Sequence, residues 1–414
     1  MKTVRFLKMM SIVFVLCAGT AISGSAQSLT TLFTFNKTNG ADPGTLTFGA
    51  NGNLYGSAGE DGEYLGGAIF ELSTAGKSLG EYYFNGFEPT GGEFPNNPLV
   101  QIGSGEFYGT TGGGGSGNGG TVFKVENGQV ITLYNFCSKP ACADGTYPYS
   151  GLTLAGNGNL YGTTNQGGTS CKFTGNGCGT IFEITTQGTL TTLYEFCSLA
   201  SCADGIFPMG PLVQGRDGNF YGTTMFGGIG CSGSGCGTIF RITPRGELTT
   251  LHQFCSVPGC ADGRFPAAGL VQASDGDFYG TAQQGGIIKN CPVNNYGCGT
   301  IFKITPTGKF TTLYTFCTLE NCTDGGGPQA PLMQGANGSI YGTAGFGGAN
   351  DYGDVFEMTT AGQLTVLYSF CAGENCADGT TPTSQLLERD AILYGTTSGY
   401  GNQTGGTVFS LSLE

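Results

Sequence analysis

Apolar and polar positions alternate along Leu248-Thr249-Thr250-Leu251-His252-Gln253-Phe254, and the same pattern returns at Leu190 to Phe196, Leu364 to Phe370 and Leu29 to Phe35. Alternation over seven residues predicts a half-exposed strand. A second recurring segment is a short apolar run: Ala68-Ile69-Phe70, Thr121-Val122-Phe123, Thr180-Ile181-Phe182, Thr238-Ile239-Phe240, Thr300-Ile301-Phe302, Asp354-Val355-Phe356 and Thr407-Val408-Phe409. Its β-branched content and length predict a strand as well. A third is Tyr-Gly, at Tyr55, Tyr108, Tyr161, Tyr221, Tyr279, Tyr341 and Tyr394. In most copies a turn pair such as Asn157-Gly158 or Asp217-Gly218 precedes it; Gly103-Ser104-Gly105 and Glu388 to Ala391 stand there in the second and last. Gly in these pairs supplies the positive φ of a tight hairpin. Short runs such as Pro211-Leu212-Val213-Gln214 and Pro331-Leu332-Met333-Gln334 form the fourth segment, on the other arm of that hairpin.

Successive Tyr-Gly pairs lie 53, 53, 60, 58, 62 and 53 residues apart. Four strands in each of seven units of about 55 residues predict an all-β fold, a seven-bladed β-propeller with four antiparallel strands per blade. We order them a (Leu-Val-Gln), b (Tyr-Gly-Thr), c (Thr-Ile-Phe) and d (Leu-Thr-Thr-Leu). The last unit stops after Thr407 to Leu411 without a d strand, and residues 29–35 supply one, so the N-terminal strand is expected to close the seventh blade. Closure covers an exposed sheet edge. A β-solenoid is the rival, but it gives no reason to split one unit between the two termini. The expected blades span about 36–86, 87–136, 137–196, 197–254, 255–316, 317–370, and 371–414 with 29–35.

This succession (Gly-Leu-x-Gln, Asp/Asn-Gly-Asn-Leu-Tyr-Gly-Thr-Thr, Gly-Gly, Gly-Thr-Val-Phe-Lys-Ile-Thr, Gly-x-Leu-Thr-Thr-Leu-Tyr-x-Phe) resembles the GloVer-type tandem repeats of secreted bacterial proteins, over essentially all of residues 27–414. The resemblance implies an exported, propeller-like protein, often with a C-terminal surface anchor. Here Glu414 follows directly after a repeat strand, so no sorting tail is expected. No catalytic residue is carried over by the resemblance.

Composition refines this picture. Gly fills 78 of 414 positions, yet 39% hydrophobic and 12% aromatic content is too rich for a disordered chain. Residues 1–26 predict a secretory signal: Lys2, Arg5 and Lys8 precede the apolar run Met9 to Ala18, and Gly24-Ser25-Ala26 forms a small-residue cleavage site. Cleavage there moves the formal charge from −13 to −16, which argues against nucleic acid and anionic membranes as partners. No membrane insertion is expected after cleavage; a secreted or cell-surface monomer is.

Sixteen Cys follow Cys17 in eight local couples: Cys137/Cys142, Cys171/Cys178, Cys197/Cys202, Cys231/Cys236, Cys255/Cys260, Cys291/Cys298, Cys317/Cys322 and Cys371/Cys376. An even count with local spacing, without Cys-x₂-Cys or accompanying His, favours disulfides in an oxidising compartment over zinc. No metal or cofactor is expected. Strand direction places the d-to-a and b-to-c connections, and hence every Cys couple, on one face. Loops on a rigid scaffold are where binding resides.

His252 stands where other d strands carry Tyr134, Tyr194, Tyr314 and Tyr368, so it reads as a repeat substitution rather than a catalytic base. Asp144, Asp204, Asp262, Asp324 and Asp378 each precede Gly in the d-to-a loops. They could ring a cation or act as acids and bases, but turn capping is the plainer expectation. Between strand b and its Gly-Gly the residues differ by blade: Asn165-Gln166, Met225-Phe226, Gln283-Gln284, Gly345-Phe346 and, near the end, Tyr400. Flat rings beside amides suit sugars, although packing between blades is the plainer use. The Gly-rich loops lack the Lys-Ser/Thr and following helix of a phosphate-binding loop. The expectation is a non-catalytic module that binds a glycan or an extracellular protein. A carboxylate-dependent hydrolase or lyase acting on polysaccharide, and a structural surface component, are its alternatives.

Overall fold

The computed structural model describes residues 27–36, 39–60, 65–85, 91–95, 97–171, 175–229, 235–286, 291, 296–398 and 405–413. The expected signal, residues 1–26, lies outside them. Seven antiparallel sheets follow one another along the chain. The third is typical: a, Thr153–Leu154; b, Leu160–Thr164; c, Thr180–Ile184; d, Leu190–Glu195.

The seventh sheet joins the chain ends. Leu29–Thr34 pairs with Thr407–Ser412, with Leu29 opposite Leu411 and Thr34 opposite Thr407. The register slips between Thr31 and Phe33, and d strands slip at the same place in blades two to six, as between Tyr194 and Thr192. The N-terminal segment is therefore a d strand down to its bulge, the expected closure.

Neighbouring blades repeat three contacts. Each Tyr-Gly glycine lies under the Phe of its own strand c, so that a Cβ would meet the ring at 2.4–2.6 Å; only Gly leaves room for it. That Phe packs edge-on or tilted against the last Phe of the preceding blade, as in Phe196–Phe240 at 5.3 Å and Phe35–Phe70 at 5.0 Å across the seam. Tyr of Tyr-Gly in turn stacks on the next blade, as in Tyr161–Phe220 at 4.1 Å and Tyr221–Phe278 at 4.0 Å.

A third contact was not expected from the repeat pattern. Asp42, Phe94, Tyr147, Phe207, Phe265, Gly327 and Thr381 each precede Pro and each has positive φ, between 53° and 61°. Every one donates its N–H to a carbonyl of the preceding blade, from Asp42 to Gly405 at 2.7 Å through Phe207 to Cys178 at 2.9 Å and Thr381 to Tyr352 at 2.9 Å. The following Pro rests on a left-handed glycine just before the previous strand c, with Pro266 Cδ 2.6 Å from where a Gly237 Cβ would sit. Left-handed φ costs ~1–3 kcal/mol per non-Gly residue. Its recurrence in all seven blades makes it part of the architecture.

The first blade departs from four plain strands. Its inner strand is split into Ala41–Pro43 and Thr47–Phe48, both paired with Leu54–Glu60, and the Ala41–Glu60 pairing stands where Thr146 faces Gln166 in the third blade. A separate two-residue pair joins Gly92–Glu93 to Gly113–Gly114.

Candidate functional face

The d-to-a and b-to-c loops meet on one face. Residues after Asp-Gly pair antiparallel with those before Gly-Gly: Thr146 with Gln166, Ile206 with Phe226, Arg264 with Gln284, and Gly326 with Phe346.

The five d-to-a loops that lead into the third to seventh blades are each organised by a buried Asp. Oδ2 of Asp204 accepts from the Tyr194 hydroxyl at 2.9 Å, the Ser198 N–H at 2.9 Å and the Ser198 hydroxyl at 3.1 Å. Its Oδ1 accepts from the Leu199 N–H at 3.3 Å. Asp144 and Asp324 repeat the set, and Asp378 keeps it without the hydroxyl. These carboxylates are turn caps. At Asp262 the imidazole of His252 replaces the phenol: Nε2 lies 3.2 Å from Oδ2, off the line of a hydrogen bond, and the ring stacks on Phe310 at 3.8 Å. Ser256 bonds the same oxygen at 2.8 Å, so His252 and Ser256 converge on Asp262 and form no Ser-His relay. Burial, with the carboxylate adding to it, pushes Tyr134, Tyr194 and Tyr314 up to about 12.

Beside these caps, disulfides join Cys137–Cys142, Cys171–Cys178, Cys197–Cys202, Cys255–Cys260, Cys291–Cys298, Cys317–Cys322 and Cys371–Cys376. Cys236 is also bridged, while Cys231 lies outside the described residues. In the third to fifth blades sulfurs of the two loops approach within 4.8 Å, as at Cys171, Cys178 and Cys197. Non-reducing peptide mapping should recover only local couples; a Cys178–Cys197 or Cys317–Cys371 peptide would contradict the assignment.

One carboxylate is confined to one blade. Where Thr180 bonds Thr164 at 2.8 Å and Thr238 bonds Thr224 at 2.9 Å, the sixth blade has Asp354 opposite Ala344. Asp354 Oδ1 accepts from the Ser369 hydroxyl at 2.6 Å, and Oδ2 is buried without a partner. Burial raises its carboxyl to about 7. The break in the Thr-Ile-Phe pattern was its sequence signal. Fully enclosed, it cannot touch a ligand. Asp42 is half-open; burial, then the neighbouring Glu60, lifts it to about 6.

Asn165, Gln166, Met225, Phe226, Gln283, Gln284 and Phe346 are half-buried, Gly345 is buried, and Tyr400 lies outside the described residues. They divide into two groups. Gln166, Phe226, Gln284 and Phe346 are the paired positions, whereas the N–H groups of Asn165, Met225, Gln283 and Gly345 bond the pre-proline carbonyls of Tyr147, Phe207, Phe265 and Gly327. Phe346 covers Gly326 and Gly327, each of whose added Cβ would meet the ring at 2.5 Å. Phe226 lies 4.9 Å from Phe265 and 6.1 Å from Phe207, bridging two blades. Between the second and third blades an open cleft of about 530 Å³ is lined by Asn118, Ala141, Tyr147, Gln166, Thr169 and Asn176.

The sequence profile of a family described as the Gloeobacter/Verrucomicrobia repeat matches residues 18–175, 173–321 and 293–414. No curated protein matches the chain. Among solved structures, the extracellular domain of a hybrid two-component system from B. thetaiotaomicron aligns over 93% of this chain and 39% of its own at 11% identity, TM-score 0.55. A second such domain aligns over 94% and 41% at 12% identity, TM-score 0.53; the present chain thus spans about two fifths of each. A periplasmic gluconolactonase from Pseudomonas aeruginosa aligns over 87% and 96% at 14% identity, TM-score 0.50. At these identities the likeness speaks for the fold. Among the described residues no helix is long and apolar enough to cross a membrane, and the bridges suit an extracellular or periplasmic setting.

Proposed function

The chain belongs to the Gloeobacter/Verrucomicrobia repeat family, and from that premise we propose that it is an exported binding propeller that takes glycans or surface proteins on its Cys-rich face. The observation that carries this reading is the difference between faces. The opposite face is made of hairpin turns repeated from blade to blade, whereas side chains at the paired loop positions change with each blade, and recognition needs such difference. The repeated carboxylates support binding rather than chemistry, since each is consumed by its own loop. Sensor ectodomains and a gluconolactonase share the architecture, so the scaffold accommodates either use.

A glycan array probed with the oxidised full chain tests the proposal. A bound glycan should lose ~1–3 kcal/mol of affinity with Phe226→Ala, while Arg245→Ala, in an exposed turn of the opposite face, should change nothing. Phe346→Ala should also lower stability, because that ring packs over two glycines. A ligand that maps to the hairpin turns would refute the assignment. The second reading, a polysaccharide hydrolase or lyase, rests on Asp42, whose raised carboxyl beside Glu60 stands on this face. It would show as release of new sugar ends that Asp42→Asn abolishes.

A further inference from the structure

Arg264 holds the place after Asp-Gly that Thr146, Ile206 and Gly326 occupy in other blades. Its N–H donates to the Gln284 carbonyl at 2.8 Å and its carbonyl accepts from the Gln284 N–H at 3.1 Å, so the two side chains leave on the same side of the ladder. The guanidinium carbon stands 4.0 Å from the Phe265 ring centroid and 4.6 Å from that of Tyr296. Between these rings it is fixed in orientation but not neutralised. Among the described residues no carboxylate comes within ion-pair distance of it; the Lys and Arg ion pairs there are Lys124–Glu126 and Lys303–Asp277. Arg264 Nε is buried without an acceptor, and Gln284 Oε1 is buried without a donor. Burial also pulls the Arg264 pKa below its ordinary value. A partly desolvated cation without a counter-ion is costly, and here it persists in a chain of formal charge −13. Tyr296 is 56% exposed, so one wall of the sandwich opens to solvent. From Phe265 the aromatic surface continues to Phe226 and Phe207.

We propose that this corner binds the carboxylate of an acidic glycan, with Arg264 taking the carboxylate and Phe226 and Phe265 the apolar faces of adjoining sugar rings. The inference rests on the glycan-binding reading above and narrows its substrate class. A planar guanidinium matches a carboxylate with two parallel hydrogen bonds, and aromatic faces extending over two blades suit a chain of rings rather than a lone anion. Gln284, on the same side of the ladder, offers its amide N–H groups to neighbouring hydroxyls.

The test titrates the oxidised full chain with oligogalacturonate and with its methyl-esterified form. The unmodified protein should prefer the free carboxylate, with affinity falling as salt rises. Arg264→Gln should weaken oligogalacturonate about tenfold or more and remove the preference; Arg264→Lys should retain part of it and serves where the Gln variant melts early. Arg245→Ala should bind normally. Equal affinity for both forms, an Arg264→Gln variant that binds like the unmodified chain, or Arg264-dependent binding of inorganic phosphate or a peptide carboxylate in place of the saccharide would overturn the proposal. A neutral glycan lost with Phe226→Ala but untouched by Arg264→Gln leaves the broader reading standing and removes this one. No saccharide binding at all removes this proposal and the glycan half of the broader reading, and leaves surface proteins as the ligand class.

Discussion

Removal of residues 29–35 should cost more than about 5 kcal/mol, comparable with the whole stability of a typical domain. The deletion takes away the d strand paired with Thr407–Ser412 and leaves that strand as an open edge. It also removes Phe35, 1% exposed and packed on Phe70, and with it the seventh inter-blade contact. Phe35→Ala alone should cost ~3–5 kcal/mol as a large-to-small core change. Thermal and denaturant melts measure both. A deleted chain that melts with the full one would mean that the ring is not held by this seam.

The second large effect is alkaline. Burial, followed by neighbouring carboxylates and opposed where an Asn amide bonds the phenol, raises Tyr55, Tyr108, Tyr161, Tyr221 and Tyr341 to about 12, and burial does the same to Tyr134, Tyr194 and Tyr314. A phenol with a folded pKa above its unfolded value of 10.0 favours the folded state while protonated. That contribution is whole below pH 10 and is lost as pH climbs through about 12. The melting temperature should therefore fall steeply across this window, with tyrosinate absorbance appearing together with loss of the β signal. Phenols that ionise near pH 10 in a chain still folded would show that the Tyr-carboxylate pairs are open to water.

Local periodicity was enough to expose the blades, their strand order and the seam, because each strand carries its signal within a few residues. The Asp caps were half legible: Tyr and Asp stand at a constant offset, Tyr134 with Asp144 and Tyr194 with Asp204, yet only the fold turns that offset into a bond. Seven prolines at repeat intervals foreshadow the inter-blade staple, but a left-handed residue before Pro is contrary to that residue's local preference and is imposed by the carbonyl of the preceding blade. Arg264 was passed over because its meaning depends on Phe265, Tyr296 and Gln284 converging from two loops, a relation that spacing within one repeat does not encode. Asp354 was visible as an exception to Thr, and its enclosure was not.

The seam also sets an order of events. Leu29–Thr34 is synthesised among the first parts of the ring, and its partner Thr407–Ser412 among the last. Blades one to six can pair from contiguous sequence, and nearest-neighbour stacking can extend them one at a time. The N-terminal strand must meanwhile wait as an unpaired apolar edge, the condition that exposes a slow-closing chain to aggregation. Yield on synthesis or refolding should thus depend on how that one strand is shielded during its wait, more than on the stability of any blade already formed.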